Sequence, residues 1–141
     1  MSLAKLQNTT IMSTELTHSR LKHLAAKIGV TEDIVSRLAL GVSIREGKIP
    51  VDWKPTENNE NILQEVTSGK SLRGKTLFKN ELSLWMMLLS KVEGKLETID
   101  SARTKFILHW ERGIELISNS DNGSDWIHLI SELYSNKANN F

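Results

Sequence analysis

Two amphipathic helices are the clearest pattern in the first third of the chain. Over Glu15–Ile28 the apolar positions fall on one helical face and the cations on the others. Gly29 then permits the left-handed turn that ends a helix, and Thr31 is a typical N-cap for the next helix. A second apolar stripe continues over Glu32–Glu46 and ends before Gly47. The pattern predicts a tight αα-hairpin.

The helical pattern breaks down between residues 48 and 76. Pro50 and Pro55 exclude a regular helix at the start of this stretch. Apolar residues alternate over residues 49–53, but the two prolines limit any strand there to a short extended piece. We therefore expect a long ordered loop, and loops of this length are often functional.

The third helix, predicted from about residue 77 to residue 92, is apolar on two faces. One face repeats at heptad spacing, and Leu84, Met87 and Leu88 form the second. A helix that is apolar nearly all round is either central in a core or shared between subunits. A chain of 141 residues has little sequence with which to surround it. The pattern favours a subunit interface.

The remaining pattern completes an all-α architecture. A fourth helix is predicted from about residue 101 to residue 117. Residues 1–13 have no periodicity and are expected to form a disordered N-terminal segment. Residues 118–141 are interpreted as a linker and an additional C-terminal helix over residues 124–136. The expected fold is a compact bundle of four to five helices, with the long ordered loop between the second and third helices, in one domain over residues 14–117.

The amino-acid composition excludes several classes of functional site. The 18 Lys and Arg residues nearly balance the 17 Asp and Glu residues, so the net charge points to no class of partner. The absence of cysteine excludes disulfides, thiolate metal sites and a cysteine nucleophile, and it fits a cytoplasmic protein. The longest apolar run, residues 84–89, is far shorter than the ~20 residues that cross a bilayer. The first residues contain no apolar secretion signal.

The string GKSLRGKT at residues 69–76 matches the P-loop pattern GxxxxGK[ST]. A P-loop follows a buried strand, and residues 57–68 are too polar for one, so we expect no nucleotide-hydrolysing site. Thr76 is expected to cap the third helix instead. Four cations in and just after the string nevertheless suit nucleic-acid phosphate, with a solvated loop as the alternative interpretation: Lys70, Arg73, Lys75 and Lys79.

No pattern of residues indicates catalysis or metal binding. The turn at residues 29–31 resembles that of a DNA-reading helix-turn-helix, but Glu32 and Asp33 at the start of the second helix would repel phosphates. The four histidines have no metal-ligand spacing, and His109 beside Trp110 is expected to be a packed core residue. No nucleophile is accompanied by a recognisable base and orienting group. The sequence therefore predicts a protein without enzymatic activity, cofactor or metal.

Several segments together resemble the DndE family of bacterial DNA phosphorothioation, or DNA sulfur modification, proteins. The resemblance spans about residues 16–117, and the segment LRGKTLF at residues 72–78 is its most specific part. The segments that carry it are residues 20–24, 27–31, 37–44, 69–78, Trp85 with Leu88 and Leu89, and residues 109–116.

The resemblance implies an all-α subunit without catalytic activity that assembles into a homo-oligomer, a tetramer. It also implies binding to double-stranded DNA, with nicked duplex preferred, and work beside the other DNA phosphorothioation proteins. The alternative is a helical protein–protein adaptor in the same machinery that does not touch DNA. The candidate DNA-binding residues are those around the P-loop-like string, followed by cations of the first helix: Lys70, Arg73, Lys75, Lys79, Arg20, Lys22 and Lys27.

Overall fold

The computed structural model describes residues 3–57 and 65–121, together with Ser131. Over these residues the chain is mostly helical, with six helices and a small two-stranded sheet. The fold is therefore mostly helical, as expected, and two short strands pair in addition. The elements are α1 (Leu3–Gln7), β1 (Thr10–Met12), α2 (Glu15–Ile28), α3 (Glu32–Glu46), β2 (Ser71–Arg73), α4 (Gly74–Phe78), α5 (Leu82–Glu93) and α6 (Ile99–Ser120).

The predicted αα-hairpin is confirmed as α2 and α3, with the bounds that the apolar periodicity indicates. Gly29 adopts φ 83°, and its N–H donates to the carbonyl oxygen of Ala25 at 2.9 Å. Thr14 caps α2 by accepting a hydrogen bond from the N–H of Thr17 at 3.3 Å. Thr31 occupies the N-cap position of α3, although its hydroxyl makes no capping bond to the backbone.

The core lies around α6, whose apolar face is buried along its whole length. Trp110, Phe106 and Ile114 are fully buried, and the indole Nε1 of Trp110 donates to the Ser36 hydroxyl oxygen at 2.9 Å. Where α6 meets α3, a Cβ on Gly113 would lie 1.9 Å from the Ala39 carbonyl oxygen. The two backbones touch because position 113 carries no side chain.

Residues 3–13 form part of the fold, whereas disorder is expected from the sequence over residues 1–13. Leu3–Gln7 forms α1 and Thr10–Met12 forms β1, which pairs antiparallel with β2 so that Ile11 lies opposite Leu72. Leu6 and Ile11 are each only 2% exposed. The burial of these two side chains favours order in a segment whose pattern is too short to show periodicity.

The long predicted third helix is two helices. Lys79 has φ 52°, a left-handed backbone conformation that ends α4, and α5 begins at Leu82. Thr76 lies inside α4, so the expectation that it caps a helix is wrong; Arg73 holds the N-cap position. The break lets Phe78 pack against Phe106, with ring centroids 4.6 Å apart.

The stretch between α3 and β2 forms no helix or strand within residues 47–57 and 65–70. The alternating residues 49–53 make no strand: Ile49 is buried, whereas Val51 is 96% exposed. The predicted fourth helix is confirmed and is longer than expected, since α6 runs through Ser120. The predicted helix over residues 124–136 lies outside the described residues, apart from Ser131.

Candidate nucleic-acid interface

The P-loop-like string forms a tight backbone corner between β2 and α4. A Cβ on Gly69 would lie 1.7 Å from the Ser13 carbonyl oxygen, and one on Gly74 would lie 2.1 Å from the Leu6 carbonyl oxygen. Both glycines are therefore needed for close contact with the N-terminal segment.

Two backbone N–H groups within this string already have protein acceptors. The N–H of Gly74 donates to the Thr9 carbonyl oxygen, and that of Lys70 donates to the Ser13 hydroxyl oxygen, each at 2.9 Å. A P-loop requires free N–H groups directed at phosphate and a parallel strand before them. Here the strand is antiparallel and three residues long, so the string is not built as a nucleotide cradle.

A groove of about 700 Å³ lies between this corner, the C-terminal part of α2 and the first residues of α3. Cations and acids share its lining, so its local charge is mixed and not uniformly positive. The residues that line it are Lys22, Ala25, Ala26, Gly29, Val30, Thr31, Glu32, Asp33, Lys70, Leu72 and Thr76.

Two of the predicted DNA-binding lysines form ion pairs with acids of α3. Lys70 Nζ lies 3.6 Å from Glu32 Oε1, and Lys79 Nζ lies 4.0 Å from Asp33 Oδ2. A hydrogen bond from Thr31, and the charge of Arg37 at 3.4 Å, keep the pKa of Asp33 below its usual value. Asp33 therefore stays ionised, and the two lysines carry less free charge toward a ligand than the sequence indicates.

Three of the predicted cations are exposed and, within the described part of the chain, form no ion pair: Arg73, Lys75 and Lys22. Arg73 and Lys75 follow one another across the β2–α4 corner, on either side of the buried Gly74. Lys22 lines the groove together with Leu72 and Thr76, the chain neighbours of Arg73 and Lys75. Arg73 and Lys75 are not among the residues that line the groove.

Arg20 is buried and Lys27 is partly buried, and both side chains have partners within the protein, so their predicted role in DNA binding stays a prediction. Arg20 is 3% exposed; its Nη1 donates to Glu115 Oε1 at 3.3 Å and its Nη2 donates to the Thr56 carbonyl oxygen at 2.7 Å. Lys27 forms an ion pair with Asp121 at the end of α6. Both side chains connect α2 to other parts of the fold.

A buried polar network on α3, α5 and α6 is the main feature that the sequence analysis missed. His109 is buried as predicted, but it also accepts from the Ser43 hydroxyl at Nδ1 and donates from Nε2 to Glu93 Oε2, each at 2.8 Å. The Ser43 hydroxyl oxygen in turn accepts from Nε of Arg112 at 2.9 Å. Residues 43, 93 and 109 have no motif spacing, so no local signal identifies the network.

Burial and hydrogen bonding set the charge states in this network. Burial lowers the pKa of His109, so the imidazole is neutral. Burial opposes ionisation of Glu93, but hydrogen bonds from the Ile49 N–H, His109 and Lys105 outweigh it and lower the pKa of Glu93. The side chains of His109 and Glu93 are 0% exposed, as is Ser43, so this Ser–His–Glu chain has no access to solvent. The network links three helices.

Within the described ranges, no helix is long and apolar enough to cross a membrane. The same residues contain no group of three or more His, Cys, Asp or Glu side chains placed to hold a metal ion.

Comparison with known proteins identifies the family. The family model described as "DNA sulphur modification protein DndE" matches residues 11–125. The fold is similar to the crystal structure of DndE from Escherichia coli B7A, a protein involved in DNA phosphorothioation modification, with a TM-score of 0.54 and 20% sequence identity. That alignment covers 77% of this chain and 94% of the Escherichia coli chain. No curated protein matches this sequence. The match to the family model over most of the chain shows that this protein belongs to the DndE family of DNA sulfur modification proteins.

Proposed function

We propose that this chain is a non-enzymatic DNA-binding subunit of the DNA phosphorothioation machinery, and that it binds the backbone phosphates of nicked duplex DNA. The observation that carries the proposal is the pair of exposed cations at the β2–α4 corner, Arg73 and Lys75; the exposed Lys22 lines the groove next to this corner. Side chains of this kind neutralise phosphates without reading bases. Family membership supplies the DNA-modification context.

The acids of α3 determine which cations contribute most. Glu32 and Asp33 already attract Lys70 and Lys79, so a phosphate has to compete for those two lysines. Arg73 and Lys75 meet no such competition within the described residues. We therefore rank Arg73 and Lys75 first, Lys22 second, and Lys70 and Lys79 third.

In this proposal the chain assembles into a homo-oligomer, a tetramer. Assembly would allow the few exposed cations of each subunit to bind DNA together. The chain carries a net charge of only +1, so one copy attracts DNA weakly over long distances. A symmetric assembly repeats the same cations in every subunit. Support for assembly comes from α5, where Leu84 and Met87 are 46% and 62% exposed.

A binding titration against nicked and intact duplex at two salt concentrations tests the proposal. In the double variant Arg73→Ala/Lys75→Ala, affinity should fall for all DNA sequences alike. The slope of log affinity against log salt should become shallower by about 1 for each phosphate that the variant no longer neutralises. The matched control is Lys91→Ala/Lys95→Ala, which removes two exposed lysines elsewhere on the chain. Wild-type affinity and slope in the first variant, or equal losses in both, would contradict the proposed site.

The second candidate function is a protein–protein adaptor in the same machinery. The exposed apolar side chains of α5 favour it, because a partner protein would bury them as readily as another subunit would. Affinity through such an interface should change little with salt, whereas phosphate binding weakens steeply. The same titration therefore separates the two functions.

A further inference from the structure

The loop that follows α3 presents a tight turn with an apolar side chain at the surface. The N–H of Trp53 donates to the Pro50 carbonyl oxygen at 3.0 Å, which closes a β-turn over residues 50–53. We call these four residues the 50–53 turn. Val51 is 96% exposed, more than any other large hydrophobic side chain in the described part of the chain. A side chain that is almost entirely in water stabilises the fold little by burial, so it is available to a ligand.

Buried charged side chains hold the start of this loop. Arg112 Nη2 donates to the Gly47 carbonyl oxygen at 2.5 Å, and the Ile49 N–H donates to Glu93 Oε2 at 2.9 Å. Ile49 itself is 2% exposed. The chain is therefore fixed to α5 and α6 directly before the 50–53 turn.

A second pair of buried charged side chains holds the end of the loop. Glu115 Oε1 accepts from the Thr56 N–H at 2.5 Å, and Arg20 Nη2 donates to the Thr56 carbonyl oxygen at 2.7 Å. Both Arg20 and Glu115 are buried. The 50–53 turn is thus fixed on both sides, and a turn that is already positioned loses little conformational entropy when it binds.

Two exposed lysines flank the turn, Lys48 before it and Lys54 after it, and neither forms an ion pair within residues 3–57 and 65–121. Asp52, exposed between them, offsets one of the two charges. Lysines beside an exposed apolar side chain suit nucleic acid, because the lysines neutralise phosphates and the apolar side chain can enter between neighbouring base pairs. A protein partner is less favoured, because lysine is depleted in protein–protein interfaces.

We propose that the 50–53 turn is a wedge that inserts Val51 between base pairs at a nick, with Lys48 and Lys54 on the flanking phosphates. This inference rests on the proposed binding of DNA. Separating and bending a base step costs free energy, and the cost is lower where one strand is interrupted. The wedge would therefore favour nicked over intact duplex without reading bases, whereas Arg73 and Lys75 would bind both.

Titration of Val51→Ser with nicked and intact duplex of one sequence tests the wedge. The ratio of the two affinities should fall by up to about tenfold, because the variant no longer buries a valine side chain at the nick. Affinity for intact duplex should stay near that of wild type, and Val51→Ile should keep the preference for the nick. The matched control is Ile34→Ser, which removes an apolar side chain that is 45% exposed on α3.

Three outcomes of this titration would overturn the wedge. They are an unchanged ratio in Val51→Ser, an equal fall in Ile34→Ser, and a wild type that binds both duplexes equally well. The last result would leave phosphate binding at Arg73 and Lys75 intact. A wild type that binds neither duplex would instead refute the proposed function, and the wedge with it.

The fluorescence of 2-aminopurine placed beside the nick gives a second measurement, because this base becomes brighter when it unstacks. At saturating protein, wild type should raise the signal about twofold, and Val51→Ser should leave it unchanged. Arg73→Ala/Lys75→Ala should still raise the signal once enough protein is added, since its wedge is intact. Equal signals in wild type and Val51→Ser would show that the turn does not separate the bases.

Discussion

At the residue scale, the positions of polar side chains in the fold determine the role of each charged group. Arg20 and Lys22 are two residues apart on α2, yet the first is buried against Glu115 and the second is exposed beside the groove. Arg20 lies four residues before the buried Leu24, so it occupies the apolar face of the helix. The helical spacing of Arg20 relative to Leu24 is thus the sequence signal that distinguishes the buried Arg20 from the exposed Lys22.

His109 gives a testable pH dependence of stability. Its pKa is lowered below the ordinary value of 6.5 in the folded protein, mainly by burial. Between that value and the folded pKa, the unfolded chain binds a proton that the native protein does not, so the free energy of unfolding should fall as the pH decreases below about 6.5. Glu93, whose folded pKa is also lowered, should add a further loss of stability below about its ordinary value of 4.5.

Urea denaturation of wild type and His109→Gln between pH 7.5 and 5.5 measures this effect. The glutamine cannot titrate, so the variant should lose stability at neutral pH but show a flatter dependence on pH. His23→Gln is the control, because the His23 side chain is 55% exposed. If His109→Gln retains the full wild-type slope, another group is responsible.

At the element scale, the β2–α4 corner explains why the string at residues 69–76 looks like a nucleotide-binding loop and is not built as one. In both cases glycine allows a close backbone approach, but here the approaching group is the N-terminal segment. The corner also ends in the left-handed Lys79, which separates α4 from α5. Apolar periodicity continues across that break through Phe78 and Leu82, so the sequence pattern predicts a single helix.

Gly74→Ala tests the packing of the corner against α1. The new Cβ would lie 2.1 Å from the Leu6 carbonyl oxygen and 3.0 Å from the Gln7 Cα, both backbone atoms that cannot rotate away. The free energy of unfolding should therefore decrease by about 1–3 kcal/mol.

Gly41→Ala is the matched control for that substitution. Position 41 is within α3, and a Cβ there meets no atom within 4 Å. Alanine should leave stability unchanged or raise it by about 0.5–1 kcal/mol, because it is the better helix former. Thermal denaturation of both variants measures the difference, and an unperturbed Gly74→Ala would show that α1 does not pack on the corner.

At the scale of the whole molecule, we assign the exposed apolar surface of α5 to contact between subunits. Leu84 and Met87 on this surface are 46% and 62% exposed. Burial of large apolar side chains drives association of this kind.

Sedimentation velocity of wild type and Leu84→Glu tests the assignment of α5. Wild type should sediment as a dimer or tetramer at micromolar concentration. Leu84→Glu should shift the distribution toward monomer, because burying an isolated carboxylate at an interface is unfavourable. Val51→Glu is a suitable control, since Val51 is 96% exposed in a loop. A monomeric wild type would remove the basis for this interface.

The features of this protein whose signals are local could be predicted from the amino-acid sequence alone. The α2–α3 hairpin, the buried face of α6 and the family resemblance all depend on spacings within one or two segments. The periodicity of apolar residues shows which side of a helix faces the core, and it can be recognised without knowing which element packs against that side.

The features that join distant parts of the chain could not be predicted in this way and are visible only in the folded protein. The ordering of residues 3–13 depends on pairing with β2 some sixty positions later, and the Ser43–His109–Glu93 network joins three helices. The ion pairs of Lys70 and Lys79 with α3, and the burial of Arg20, likewise follow from packing. Such contacts depend on how the elements pack together, and a pattern read along a single segment contains no information about that arrangement.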